Sequence, residues 1–236
     1  QEHHEWQGAR KMKTFRVLGL LMSYPKPEWL AHLDEFKTLL IEENFLPKKH
    51  LKAVLVYIDD LIVADVFSAQ EDYVSTFDRG RSHCLHLFEH IHGESRDRGQ
   101  AMVNLADAYE EKGLFIDQAE LPDYIPLFLE FLSLCPDDEA IALLGEPIDI
   151  MATIGARLRK RDSSFAVLFD ALVALSKVKP SKEKIQEVMD QAPEDDSLEA
   201  LDKEWEEAAA FAGQPDQAGC GGCKTPDNGL QINITQ

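Results

Sequence analysis

Residues 87–102, LFEHIHGESRDRGQAM, concentrate histidine, carboxylate and guanidinium side chains in a break between two helical segments. A plain helix-to-helix turn needs only a glycine and a capping residue, whereas this one carries His90, His92, Glu94, Arg96, Asp97 and Arg98. His83, His86 and His90 recur at i, i+3 and i+7, with Glu89 beside them. On a helix spanning 82–92, His86 and His90 would bring two imidazoles to one zinc ion. No His-Glu-x-x-His is present to place a water-activating glutamate between the two ligands. Gly93 ends the helical register before Glu94 could supply a third ligand. A polar helix face hydrogen-bonded to the neighbouring loop explains the same residues without a metal.

Arg79, Arg81, Glu94, Arg96, Asp97 and Arg98 mix both signs of charge. They can brace the two breaks through bidentate ion pairs, or turn guanidinium groups toward a carboxylate or phosphate. Neither Arg79-Gly80-Arg81 nor Cys220-Gly221-Gly222-Cys223 matches a phosphate-binding glycine loop. Cys84 adjoins His83, but neighbouring helix positions point apart and make no nucleophilic dyad. Cys135 closes an apolar helix and reads as a small core residue. Cys220 and Cys223 offer two of the four ligands zinc takes, with no second pair. Their flanks present no helix N-terminus to activate a thiol. No catalytic residue, resident metal or cofactor is assigned.

The elements that hold these residues read as helices throughout. Apolar residues recur at three and four, and the breaks fall at Pro, Gly and capping residues. Helices are expected over 14–24, 28–43, 47–65, 69–78, 82–92, 127–135, 147–161, 163–177, 181–189 and 197–211. Another starts at a cap provided by Asp97 and stops at Gly113. The segment 127–135 is apolar on two sides, as a central helix covered by neighbours must be. The fold class is a single all-α domain of about nine or ten helices, spanning 12–212. Residues 1–11 are expected to be a disordered extension, and 213–236 a mobile tail rich in Gly, Pro, Gln and Asn.

Of 236 residues 44% are apolar and 28% charged, enough for a substantial core without disulfides. A net charge of -19, from 43 acids against 24 bases, argues against a nucleic-acid partner and favours basic ones. Four cysteines make no disulfide framework, which fits a reducing, cytoplasmic compartment. The apolar run after Arg16 is too short for a signal peptide, and no later run reaches membrane-spanning length. Tyr124, Leu121 and Pro126 flank the central helix, where they either line a groove for an amphipathic or basic helix or are covered by neighbouring helices.

Three blocks carry a family resemblance: residues 71–81 (EDYVSTFDRGR), 87–102, and 120–132 (ELPDYIPLFLEFL). In order and spacing, from Met12 to Phe211, the chain resembles the NarJ-type assembly chaperones of respiratory nitrate reductase, the delta subunits, within the wider group of redox-enzyme maturation chaperones. The resemblance implies an all-helical chaperone that is not an enzyme and carries no cofactor of its own. It implies binding of the apo form of the catalytic, molybdenum-containing subunit through its N-terminal segment. That subunit would be held competent for molybdenum cofactor insertion before membrane docking. Molybdenum cofactor biosynthesis proteins would be further partners. On this expectation Leu121, Pro122, Asp123, Tyr124 and Pro126 form a peptide groove, with His90, His92, Glu94, Arg96, Asp97 and Arg98 at its rim. The Cys-Gly-Gly-Cys tail is not carried over from the family. The competing readings are a metal-dependent hydrolase built on the histidine face and a generic helical scaffold.

Overall fold

A computed structural model describes residues 12–79, 81–90, 96–116 and 120–190. Among them lie eleven α-helices, two short 3₁₀ turns and one isolated antiparallel bridge. The all-α expectation holds. The expected extension 1–11, the helix at 197–211, the tail with Cys220 and Cys223, and the rim residues His92 and Glu94 lie outside the described residues.

Helix α1 (Lys13–Leu21) lies along α7 (Ile125–Leu134). Phe15, Leu18 and Leu21 meet Leu129 and Leu132 in the core. Gly19 makes the closeness possible, because a Cβ there would sit 2.9 Å from the Pro126 carbonyl oxygen and 3.3 Å from Leu129 Cβ. The N-terminus of α1 is closed from a distance. Glu43, at the end of α3 (Leu33–Glu43), accepts from the Lys13 N–H at 3.0 Å, the Thr14 N–H at 2.7 Å and the Thr14 hydroxyl. A carboxylate there satisfies donors that the first turn leaves unpaired and complements the helix dipole.

The single helix expected over 28–43 is two: α2 (Pro27–Leu30) and α3. Trp29 is buried, donates its indole N–H to the Tyr24 carbonyl at 3.1 Å and stacks on Phe36, which turns the chain between them. Helix α4 (Lys48–Val63) follows as expected. Helix α5 (Val66–Phe77) begins three residues earlier than the apolar spacing suggests, because Asp65 caps it through the Phe67 and Ser68 N–H groups.

Helix α8 (Asp137–Gly145) is one that apolar spacing does not announce. Three acids fill its first turn, where the helix dipole favours them, while Ala140, Ile141 and Leu144 are buried. Helices α9 (Ile148–Lys160) and α10 (Ala166–Leu175) form an antiparallel pair, with α10 also against α4. Gly155 admits Phe169 at the crossing, its virtual Cβ only 2.8 Å from Phe169 Cβ. Helix α11 (Lys182–Asp190) docks on α9, where Asp149 accepts from the Ser181 N–H at 2.8 Å and Lys184 Nζ at 2.9 Å. No helix among the described residues is long and apolar enough to cross a membrane.

Candidate functional site

Over 82–90, the described part of the helix expected at 82–92, no α-helix forms. Arg81–His83 and Leu87–Glu89 are 3₁₀ turns, and the chain between them is extended, with His86 bridged to Tyr124. The reason lies some 35 residues away in sequence. The Leu87 N–H donates to the Asp123 carbonyl at 3.0 Å, and the Ile125 N–H donates to the Leu85 carbonyl at 2.8 Å. The Asp123 carboxylate is 0% exposed. It accepts from the Phe88 N–H at 3.0 Å and from His86 Nδ1 at 3.2 Å. Backbone groups that a helix would use internally are thus committed across to 121–125, and two bonds to a buried carboxylate outweigh local helical propensity. With no helix, the i, i+4 argument for zinc at His86 and His90 loses its basis. Among the described residues no three His, Cys, Asp or Glu side chains converge on a metal position.

Residues 82–90, the strap, and 121–125, the turn, therefore form one unit. Tyr109, fully buried on α6 (Arg96–Glu111), donates its hydroxyl to the Pro122 carbonyl at 2.8 Å and fixes the turn from below. The Tyr124 ring lies 5.5 Å from the His86 ring, and its hydroxyl meets the Tyr73 hydroxyl of α5 at 3.0 Å. Burial pushes the Tyr124 phenol up to about 12, so both hydroxyls stay protonated and neutral at physiological pH. Arg98 Nη2 reaches Glu89 Oε1 at 3.1 Å, tying the first turn of α6 to the second 3₁₀ turn. Arg157 Nη1 donates to the Ser82 carbonyl at 2.8 Å and holds the other end of the strap to α9.

The expected groove residues divide on inspection. Leu121 is 47% exposed, and Pro122 and Tyr124 are half-buried. Asp123 and Pro126 are buried: the first is the anchor of the strap, and the second faces α1 beside Gly19. Both are closed off from solvent. Of the expected rim, His90 donates from Nε2 to the Cys84 carbonyl at 3.0 Å, and Arg98 serves as a brace. Arg96 and Asp97 stand in the first turn of α6, so Asp97 lies inside the helix rather than at its cap. His86, singled out by spacing for zinc, enters the unit as a partner of Asp123, while Glu89, Tyr73 and Tyr109 join it without any signal in their spacing. Their signal is a partner elsewhere in the chain, which spacing along one segment cannot display.

Cys84 sits inside the strap with its sulfur 3.7 Å from His90 Nε2. That contact does not make a nucleophile, because burial pushes the thiol up to about 11, leaving it protonated. Iodoacetamide should label Cys84 in the folded protein about 100-fold more slowly than in urea, since raising the thiol that far cuts its thiolate fraction in proportion. Peptide mass mapping of a time course reads this directly, and equal rates would mean that the thiol is not buried as described.

A sequence profile described as "Nitrate reductase delta subunit" matches residues 46–171, which includes the strap, α6, the Pro122–Asp123 turn and α7. The chain belongs to the nitrate reductase delta subunit family. It is 41% identical over 191 residues to the nitrate reductase molybdenum cofactor assembly chaperone NarJ of Escherichia coli K12, covering 81% of each chain. It is 32% identical over 162 residues to a Bacillus subtilis protein named as a probable chaperone of the same kind, covering 68% of this chain and 86% of that one. These relatives are named as assembly chaperones, not as catalysts. The fold resembles that of an Archaeoglobus fulgidus protein whose crystal structure is assigned to redox enzyme maturation, with a TM-score of 0.52, 21% identity, and coverage of 73% of this chain and 96% of that one. The strap lies inside the segment that the profile matches.

Proposed function

We propose that this protein is a cytoplasmic assembly chaperone for respiratory nitrate reductase. It binds the apo catalytic subunit, recognises the N-terminal segment of that subunit and holds it competent for molybdenum cofactor insertion before membrane docking. The observation that carries the proposal is the 41% identity, over four-fifths of both chains, to a chaperone named for this assembly step. The molybdenum cofactor belongs to the client. Molybdenum cofactor biosynthesis proteins are further partners on this reading. The working unit is the helical domain over 12–212, with 1–11 and 213–236 outside it.

The chemistry of the surface supports a client rather than a substrate. The Cys84 thiol is held protonated, and the His86 and His90 rings are committed within the strap. Leu121 and Tyr124 supply apolar surface beside partly exposed His86, Glu89 and Arg98. Apolar anchors of this kind supply affinity, and the acidic balance of the chain speeds encounter with a basic segment. The test is calorimetric titration of the full chain with the N-terminal peptide of the cognate catalytic subunit, beside a scrambled peptide. Saturable binding of the native peptide alone is the expected result. A well-folded protein that binds neither peptide overturns N-terminal recognition.

A further inference from the structure

The corner where α3 meets α4 carries a charge pattern that neither the strap nor its partners use. From Phe45 to Ile58 the chain has Lys48, Lys49, His50 and Lys52 and no acid, in a protein of net charge -19. The three lysines are exposed and have no ion-pair partner among the described residues. Lys37, Lys112, Lys177 and Lys184 are each held by a carboxylate instead. Helix stability does not account for the cluster either. Helices α3, α8 and α9 open on acids, which the positive end of the helix dipole favours. Helix α4 opens on Lys48 and Lys49, with no acid in its first turn and no side-chain cap from Pro47. Two cations there work against the dipole. A local rule broken with no gain in stability marks a functional surface.

Lys49, Lys52 and Val56 stand at i, i+3 and i+7 on the outward side of α4, with Lys48 beside them. Val56 is 50% exposed, and Ile41, near the end of α3, is 53% exposed. The corner therefore combines point charges with open aliphatic side chains. Lysine lacks the planar fork with which arginine grips a single carboxylate, and suits a surface of many anionic groups. Aliphatic side chains beside it suit the headgroup boundary of a bilayer, where lysine stems reach past apolar contacts to the charged layer. We propose that the α3–α4 corner rests on the anionic surface of a phospholipid bilayer, as a peripheral contact without insertion. The surrounding acids oppose it: Glu42 is exposed next to Ile41, and Asp59 and Asp60 are exposed further along α4. Asp59 is itself bound to Lys37. The helix rises about 10 Å from Lys52 to Asp59, close to the distance over which physiological salt screens charge. The attraction is therefore local, and binding is weak and salt-sensitive. The lipid contact stands on the corner alone. Its use, bringing a loaded chaperone to the membrane where its client docks, rests on the chaperone reading above.

Co-sedimentation of the full chain with vesicles is the test. One set is phosphatidylcholine alone, and the other contains phosphatidylglycerol in equal part. The wild type should bind the anionic vesicles at low salt, bind them less at about 150 mM salt, and leave the neutral ones. Lys48→Glu with Lys49→Glu should weaken binding to anionic vesicles at least tenfold, since each basic side chain at such a surface contributes about a fivefold factor. The same pair should raise the melting temperature, because it puts acids at the positive end of α4, so unfolding would not explain the loss. Lys26→Glu with Lys160→Glu, at exposed lysines elsewhere, changes net charge equally and should weaken binding less than about threefold. Equal losses in the two pairs overturn the corner, as does equal binding to neutral vesicles. A wild type that stays in solution with both vesicle sets overturns it too. If that wild type binds polyglutamate, and Lys48→Glu with Lys49→Glu does not, the corner belongs to an acidic protein and not to lipid. None of these results bears on the peptide titration, so the lipid contact and the chaperone reading fail separately.

Discussion

Asp123→Ala is expected to lower the unfolding free energy by about 3 kcal/mol, because it removes two charge-assisted hydrogen bonds worth about 1.5–3 kcal/mol each at a buried site. Asp123 is 0% exposed and holds the Phe88 N–H and His86 Nδ1 on its two oxygens. The variant leaves the Phe88 amide without its acceptor, while His86, still partly exposed, can turn to water. That escape keeps the loss below the sum of both bonds, as does the relief of burying a carboxylate. Asp123→Asn retains one acceptor oxygen and should cost about half as much. Urea unfolding gives the magnitude. Amide exchange gives the location: protection should fall at Leu87, Phe88 and Ile125, whose N–H groups join the strap to the turn. A destabilised variant with those three amides still protected would show that the strap is held by something other than Asp123.

Gly19→Val is expected to cost about 3 kcal/mol, at the upper end of overpacking penalties. The Cβ would lie 2.9 Å from the Pro126 carbonyl oxygen, a backbone atom that cannot rotate away, and 3.3 Å from Leu129 Cβ. Relief requires α1 and α7 to separate, and α7 carries the end of the strap-and-turn unit. Gly19→Ala meets the same oxygen but gains about 1 kcal/mol of helix propensity, so its net cost should be nearer 1 kcal/mol. Gly99 in α6 is the opposite case. Nothing lies within 4 Å of its virtual Cβ, so Gly99→Ala should stabilise by about 1 kcal/mol through propensity alone. Thermal melts of the three variants test the ordering Gly99→Ala, Gly19→Ala, Gly19→Val from most to least stable. Gly19→Val as stable as wild type would mean that the helices do not cross as closely as described.

Much of this molecule is legible in its amino-acid sequence. The spacing of Leu51, Leu55 and Ile58 announces α4, and the apolar run after Pro126 announces a central helix; each rests on periodicity that one segment displays by itself. Gly113 stops α6 with a positive φ of 79°, the backbone state glycine most readily adopts. The three sequence blocks and their order point to the family that the comparisons show. The departures have a common source. Residues 82–92 read as helical because His83, His86 and His90 recur at i, i+3 and i+7, yet the hydrogen bonds of 85–88 go to 123–125. Asp123 and Pro126 are expected in a groove because they flank the central helix in a block that resembles the family, yet both are buried.

The groove lined by Leu30, Leu33, Leu61 and Ile62 shows the same division. Its walls come from residues 27–34 and 61–69, which only folding brings face to face. Helical class, acidic character and family follow from the chain read alone, because propensity, net charge and motif order belong to neighbouring residues. Folding alone makes the histidine segment a strap, makes Asp123 its anchor, and sets where apolar surface is left for a partner. Burial and non-local hydrogen bonds depend on which segments meet, and a buried carboxylate with two donors outweighs the small helical preferences of the residues it captures.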